Sequence, residues 1–204
     1  PEIENLLWSG FSKGTLGLDV GANCGQSVPH MLRLADMVHA FEPSVESYEV
    51  LQSAYANNDQ VKTFEKAVSE ETSIIKLVAA PTKIATGQLV THGTAGMEWS
   101  DEELRDGVER EISAIALDDT YPDTPVSFIK IDVEGHEYLV LLGAMNLIRA
   151  QRPEMLIEIH SQLLGDQIEE LLHPLYRLNV IRHPHYSEGT ELWRTHFWMQ
   201  CFRD

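Results

Sequence analysis

Basic residues are scarce in this chain: 15 Lys and Arg stand against 32 Asp and Glu, a formal net charge of −17. A surface that negative repels polyanions at long range, which argues against a nucleic-acid substrate. Cysteine is scarcer still. Cys24 and Cys201 offer neither a metal spacing nor a disulfide framework, and both are expected to be free thiols. No basic residue lies beside Cys24 in sequence, so packing in a turn is its expected role, not nucleophilic chemistry. No apolar run approaches the ~20 residues that span a bilayer. The opening Pro1-Glu2-Ile3-Glu4-Asn5 lacks the basic-then-apolar pattern of a secretory leader. The expectation is therefore a cytoplasmic protein with no membrane partner. Repeats, low-complexity tracts and linkers are missing too, and 204 residues at 43% hydrophobic content suit a single domain, 1–204, with a sizeable core.

What is present is an alternation of apolar runs and helical periods. After an amphipathic lead-in over 1–14, Leu16 to Val20 reads as a buried strand, Gly21 to Gly25 as a turn needing open backbone angles, and Ser27 to about Ala35 as a helix whose first turn tolerates Pro29. Met37 to Pro43 is a second strand, Val45 to about Asn57 a helix, and Val61 to Glu65 a third strand. This βαβαβ order within about 65 residues requires a parallel sheet with helices on its faces. Residues 66–80 suggest an extra strand pair, clearest at Ile74 to Val78. Residues 81–111 carry no clean period and are expected to form a lid or binding insertion, with the acidic run Glu98 to Glu111 as a solvated helix. The parallel pattern resumes with strands Val126 to Asp132 and Glu154 to His160, a helix from 137 to about Ile148, another from Ile168 to Leu178, and a terminal antiparallel pair over 179–182 and 197–202.

Four of these strands stop at polar residues: Asp19, Glu42, Asp132, and Glu158 with His160. Ligands of open α/β sheets bind outside the carboxyl ends of the strands, so these groups should line one crevice. A glycine turn followed about 20 residues later by an acid suits a ribose diol, with Glu42 as acceptor. The turn is not the three-glycine pyrophosphate fingerprint, however, and the preceding Asp19 repels phosphate while attracting a ligand ammonium. A ligand with a ribose and a cationic amino-acid end is implied, and S-adenosylmethionine has both.

Asp19-Val-Gly-Ala-Asn-Cys-Gly25, Phe41-Glu42-Pro43, Ile129-Lys130-Ile131-Asp132-Val133-Glu134-Gly135-His136-Glu137, Arg152-Pro153 and Ile157-Glu158-Ile159-His160 together resemble the FkbM methyltransferase family. The glycine turn marks the broad class of Rossmann-like methyltransferases, and the Lys-Ile-Asp-Val-Glu-Gly string makes the narrower assignment. The resemblance implies an α/β fold with a mostly parallel seven-stranded sheet, helices on both faces and an antiparallel C-terminal hairpin. It also implies S-adenosylmethionine-dependent methyl transfer to a hydroxyl, of a saccharide or small secondary metabolite. Asp19, Gly21, Asn23 and Gly25 would surround the methionine part, Glu42 and Pro43 the ribose, and Glu65, Lys66 and Ala67 the adenine; Asp132 would lie near the amino group or reaction centre. Leu117-Asp118-Asp119 matches a family segment whose alternative is a helix cap. The insertion at 81–111 departs from the family, so acceptor specificity does not carry over.

Methyl transfer to oxygen needs an aligned hydroxyl and a base. His136 is the leading expected base, with Asp132 beside it and Glu134 and His160 in reserve. Glu158, His160 and, from the insertion, His92 are the expected acceptor contacts, with Trp99 as a stacking surface. A divalent cation on Asp132, Glu158 and His160 is an alternative, less favoured than metal-free chemistry. The tail residues His183, His185, Tyr186, Trp193, His196 and Trp198 are expected to pack a hairpin. A different class stays open, a binding module that keeps the cofactor pocket without chemistry, as does a non-sugar acceptor.

Overall fold

The computed structural model describes residues 2–79, 87–90, 108–182, 190 and 196–203. Its centre is a seven-stranded sheet built from β1 (Gly14–Val20), β2 (Ala35–Phe41), β3 (Val61–Phe64), β8 (Phe128–Ile131), β9 (Glu154–Ile159), β10 (Arg177–Arg182) and β11 (Phe197–Phe202), in the spatial order β10-β11-β9-β8-β1-β2-β3. Only β11 runs against its neighbours, pairing antiparallel with both β9 and β10. This is the expected doubly covered α/β architecture.

The central strands are buried on both faces. Leu16 to Val20 and Phe128 to Ile131 are continuously buried, because parallel strands sandwiched between helix layers have no solvent side. Their register has a consequence for charge: Asp19 in β1 stands directly beside Lys130 in β8. Helices Val28–Leu34 and Val45–Tyr55 and the lead-in helix Glu2–Leu7 bring apolar side chains to one core cluster; Glu137–Leu142, Met145–Gln151 and Gln162–Leu172 serve the larger one. Phe11 fills a gap between Phe128 and Phe202, with ring centroids 4.8 and 4.9 Å away.

A second sheet, of four strands, was only half visible in the sequence. β4 (Ala67–Val68), β7 (Val108–Ile115), β5 (Ser73–Ala79) and β6 (Gly87–Val90) pair in that order. The described parts of the expected insertion are thus strands, not loop: 87–90 pairs with β5, and 108–111, expected as the end of a solvated helix, belongs to β7. Pairing with β5 overrides the polarity of these residues. The rest of the expected lid, with His92 and Trp99, lies outside the described residues, as do His183, His185, Tyr186 and Trp193.

Two helix boundaries also differ from expectation. The helix after Asp132 breaks at Gly143 and Ala144, and the second half, Met145–Gln151, begins anew with its Asn146 and Leu147 N–H groups donating to Asp118 at 3.0 and 2.8 Å. Asp118 is therefore a helix cap, though for a different helix from its own. The later helix begins at Gln162, six residues earlier than its apolar period suggested, because the Ser161 hydroxyl accepts the Leu164 N–H; it ends at Leu172, and Leu178 falls in β10.

Candidate active site

The β1 turn is shaped by close backbone approach. Gly21 has φ +77°, and a Cβ there would lie 1.8 Å from the Asp132 carbonyl oxygen, so the first strand-end turn rests directly on the end of β8. Gly25, at φ +89°, is closed over by Tyr55, whose hydroxyl donates to the Gly25 carbonyl at 3.0 Å. Asn23 adopts a left-handed conformation at φ +50°. Glu42, at the end of β2, ties two loops together: Oε2 accepts the Asn23 N–H at 2.9 Å and Oε1 the Ser44 N–H at 2.8 Å. Burial raises the Glu42 pKa, and these N–H donors and Lys130 offset part of the rise. Each carboxylate oxygen keeps a second lone pair, which a vicinal diol can use.

Asp19 has 0% exposure. Its Oδ2 accepts the Ser27 hydroxyl at 2.6 Å, and Oδ1 lies 3.3 Å from Lys130 Nζ. Lys130 also contacts Asp132 Oδ2 at 3.3 Å and donates to the Gly21 carbonyl at 2.7 Å. Burial alone would lower the lysine pKa, but the two aspartates outweigh it and hold the ammonium charged. Asp19 is thus spent on Lys130 and Ser27 and acts on a ligand through the turn it braces. Lys130 was not among the expected site residues; a lysine inside the otherwise apolar strand Phe128 to Ile131 is the signal that marks it.

A second buried group stands at the ends of β8 and β9. Glu137, fully buried, accepts the Gly135 N–H at 3.0 Å and His160 Nδ1 at 2.8 Å on the same oxygen, Oε1. His160 Nε2 points at Asp132 Oδ1, 3.8 Å away, and Glu134 Oε2, 3.6 Å away. Burial would lower the His160 pKa, yet Glu137, Glu134 and Asp132 push it up to about 10. Glu134, in a left-handed turn at φ +52°, has its pKa raised by burial, and the Asp132, Glu158 and Glu137 charges add to the rise. One ligand atom each of Asp132, Glu158 and His160 fall within 4.8 Å of one another. Glu137 was likewise not among the expected site residues.

His136 sits elsewhere. The ring is 1% exposed, Nε2 is 2.9 Å from the Ser69 hydroxyl, and Nδ1 is buried without a hydrogen bond. It faces β4 and the start of the second sheet, with neither nitrogen open to an acceptor. The helix that begins at Glu137 carries it there: His136 and Glu137 point to different sides of the turn. Pro43 is partly exposed beside Glu42, and Glu65 and Lys66 are exposed between β3 and β4; Ala67 is buried in the second sheet's own core, which leaves its side chain no free face.

A parallel sheet in this strand order, with a glycine turn, an acid at the end of β2 and an acidic turn after β8, defines a Rossmann-like methyltransferase fold. The chain matches the Methyltransferase FkbM domain over residues 19–179, and it belongs to that family. The solved structures agree on the fold. The methyltransferase FkbM of Methylobacillus flagellatus KT superposes with a TM-score of 0.62 at 20% identity, covering 93% of this chain and 44% of that one. The present chain therefore spans less than half the length of that relative. An rRNA methylase of Streptococcus thermophilus gives a TM-score of 0.56 at 11% identity, covering 99% and 94% of the two chains. Aeropyrum pernix fibrillarin, solved in complex with natively bound S-adenosyl-L-methionine, gives 0.55 at 11% identity, covering 98% and 74%. No curated protein matches the sequence.

Proposed function

We propose that this chain is an S-adenosylmethionine-dependent O-methyltransferase acting on a hydroxyl of a saccharide or small secondary metabolite. The observation that carries the proposal is the junction of two turns: Gly21 lies on the Asp132 carbonyl while Glu42 holds the Asn23 N–H, so the cradle and the acidic turn are one unit. The donor set suits the cofactor. Glu42 offers carboxylate lone pairs to the ribose, the 21–25 turn wraps the methionine part, the exposed Glu65 and Lys66 border the adenine, and Asp132, 29% exposed, faces the cationic end. S-adenosylmethionine supplies a methyl group on a sulfonium, which an oxygen nucleophile displaces in line.

The chain's own task is to bring that oxygen into line and take its proton. Glu134 is the proposed base: its side chain is 32% exposed, and burial raises its affinity for a proton. His136, the base expected from the sequence, is assigned a positioning role instead, because its ring is enclosed. His160 steadies the carboxylates, and Glu158 and Asp132 border the acceptor. The net charge of −17 favours a small or uncharged acceptor over RNA.

Calorimetry with S-adenosylmethionine and with its demethylated product tests the pocket. Both should bind, and Glu42→Ala should weaken binding by about 1.5–3 kcal/mol. Absence of binding to either compound sinks the proposal. Turnover on an acceptor panel of glycans and hydroxylated metabolites, read by mass spectrometry, then separates an enzyme from a binding module. Glu134→Gln should cut turnover while leaving cofactor affinity intact.

A further inference from the structure

His160 ends β9 with 6% exposure, and its two ring nitrogens have different surroundings. Nδ1 is tied to Glu137 Oε1, and that oxygen is itself fixed by the Gly135 N–H. A neutral imidazole donating from Nδ1 to a locked carboxylate directs its Nε2 lone pair outward in a set orientation, the usual arrangement behind a metal-ligating histidine. Nε2 makes no hydrogen bond among the described residues. Asp132 and Glu134 stand 3.8 and 3.6 Å from it, beyond hydrogen-bond range. Asp132 divides its oxygens: Oδ2 answers Lys130, and Oδ1 faces His160. Glu158 joins them because β8 and β9 are adjacent, parallel and in register at Ile131 and Ile157. The three ligand atoms lie within 4.8 Å of one another, and ligands across a divalent cation with bonds of roughly 2.0–2.3 Å stand about 4–4.6 Å apart.

We propose that Asp132, Glu158 and His160 Nε2 form a divalent-cation site, with Glu137 as the outer carboxylate that orients the imidazole. Two carboxylates and one imidazole, without a thiolate, suit a Mn2+-type cation. Water fills the remaining positions. The site stands on its own geometry; its role rests on the O-methyl-transfer reading above. In that role the cation polarises the acceptor hydroxyl, and Glu134 receives the released proton.

MnCl2 alone, titrated into the full chain and followed by calorimetry and by loss of the free aqueous Mn2+ resonance signal, tests the site. One Mn2+ per chain is expected. Affinity should fall at least about tenfold in Asp132→Asn and in Glu158→Gln, which keep side-chain shape at partly exposed positions, and about 10- to 100-fold in Glu137→Gln with the stoichiometry retained. Circular dichroism checks that each variant is folded. If Glu137→Gln lowers the melting temperature without moving Mn2+ affinity, its role is structural and the orienting part of the proposal falls. No saturable site at millimolar Mn2+, or affinity unchanged in both Asp132→Asn and Glu158→Gln, overturns the site itself. The S-adenosylmethionine titration on the same protein keeps the two proposals apart. Mn2+ binding without cofactor binding leaves the cation site and removes the methyl-transfer reading, and the converse leaves methyl transfer without the cation.

Discussion

At the scale of single residues, buried charge dominates this molecule. Lys130 is enclosed between Asp19 and Asp132, and removing one partner of such a group leaves the other charge uncompensated. Lys130→Met should cost about 3–5 kcal/mol in guanidinium unfolding; a loss below about 1 kcal/mol would show that the lysine is not the tie between β1 and β8. His136 makes the opposite kind of prediction. Burial lowers its pKa from the ordinary 6.5, against opposing pulls from Glu70 and Glu137, so the folded state favours the neutral ring. Its contribution to stability is present above pH 6.5 and is lost as the pH falls through the lowered folded value. Urea midpoints measured from pH 7.5 down to 5 should therefore drop more steeply in the wild type than in His136→Gln. These roles were not legible in the sequence. Asp19 and His136 both stood out as polar residues at strand or helix ends, but the neighbours that decide their roles, Lys130 and Ser69, lie 111 and 67 positions away along the chain.

Among elements, the strands were easier to anticipate than the helix boundaries. β1, β8 and β9 are strands of mostly apolar, almost wholly buried residues with an acid at or just past their ends, a pattern set by burial on both faces, and β2 keeps the acid at its end while alternating in burial. Helix starts depended on caps contributed from afar. Asp118 caps Met145–Gln151 from 27 residues upstream of that helix, accepting from Asn146 and Leu147. Asp118→Ala should lower stability by about 1 kcal/mol, within about 0.5–2, read as a shift in denaturant midpoint without change in slope. The four-stranded sheet was legible only at Ile74 to Val78, because β7 carries Glu109, Arg110 and Glu111 on a strand whose partner, not its composition, fixes its conformation. Arg110 then reaches across to Glu46 with both terminal nitrogens, at 3.1 and 2.8 Å, joining the second sheet to the helix after β2.

For the molecule as a whole, the fold leaves the acceptor open and the charge narrows it. Two structural neighbours are rRNA methylases by name, yet likeness at 9–11% identity carries only the fold. With −17 net charge, the chain should show no saturable affinity for single- or double-stranded RNA by fluorescence anisotropy, even at low salt where basic surfaces bind most tightly. Tight, salt-sensitive RNA binding would remove the small-acceptor proposal. Among the described residues no helix is long and apolar enough to cross a membrane.

The sequence by itself determined the alternation of elements, the glycine turn after β1 and the acids at the ends of β1, β2, β8 and β9, because apolar period, turn chemistry and strand length are local properties. It also carried the FkbM family through the string Lys130 to Gly135. Only the tertiary structure decided how those acids are used. Strand order 9-8-1-2 brings Lys130 beside Asp19 and Glu158 beside Asp132, while one turn of chain sends His136 toward Ser69 and Glu137 toward His160. Strands buried on both faces give no alternating signal of which way a side chain points, so the division between cradle, base and cation site arises from packing across the sheet.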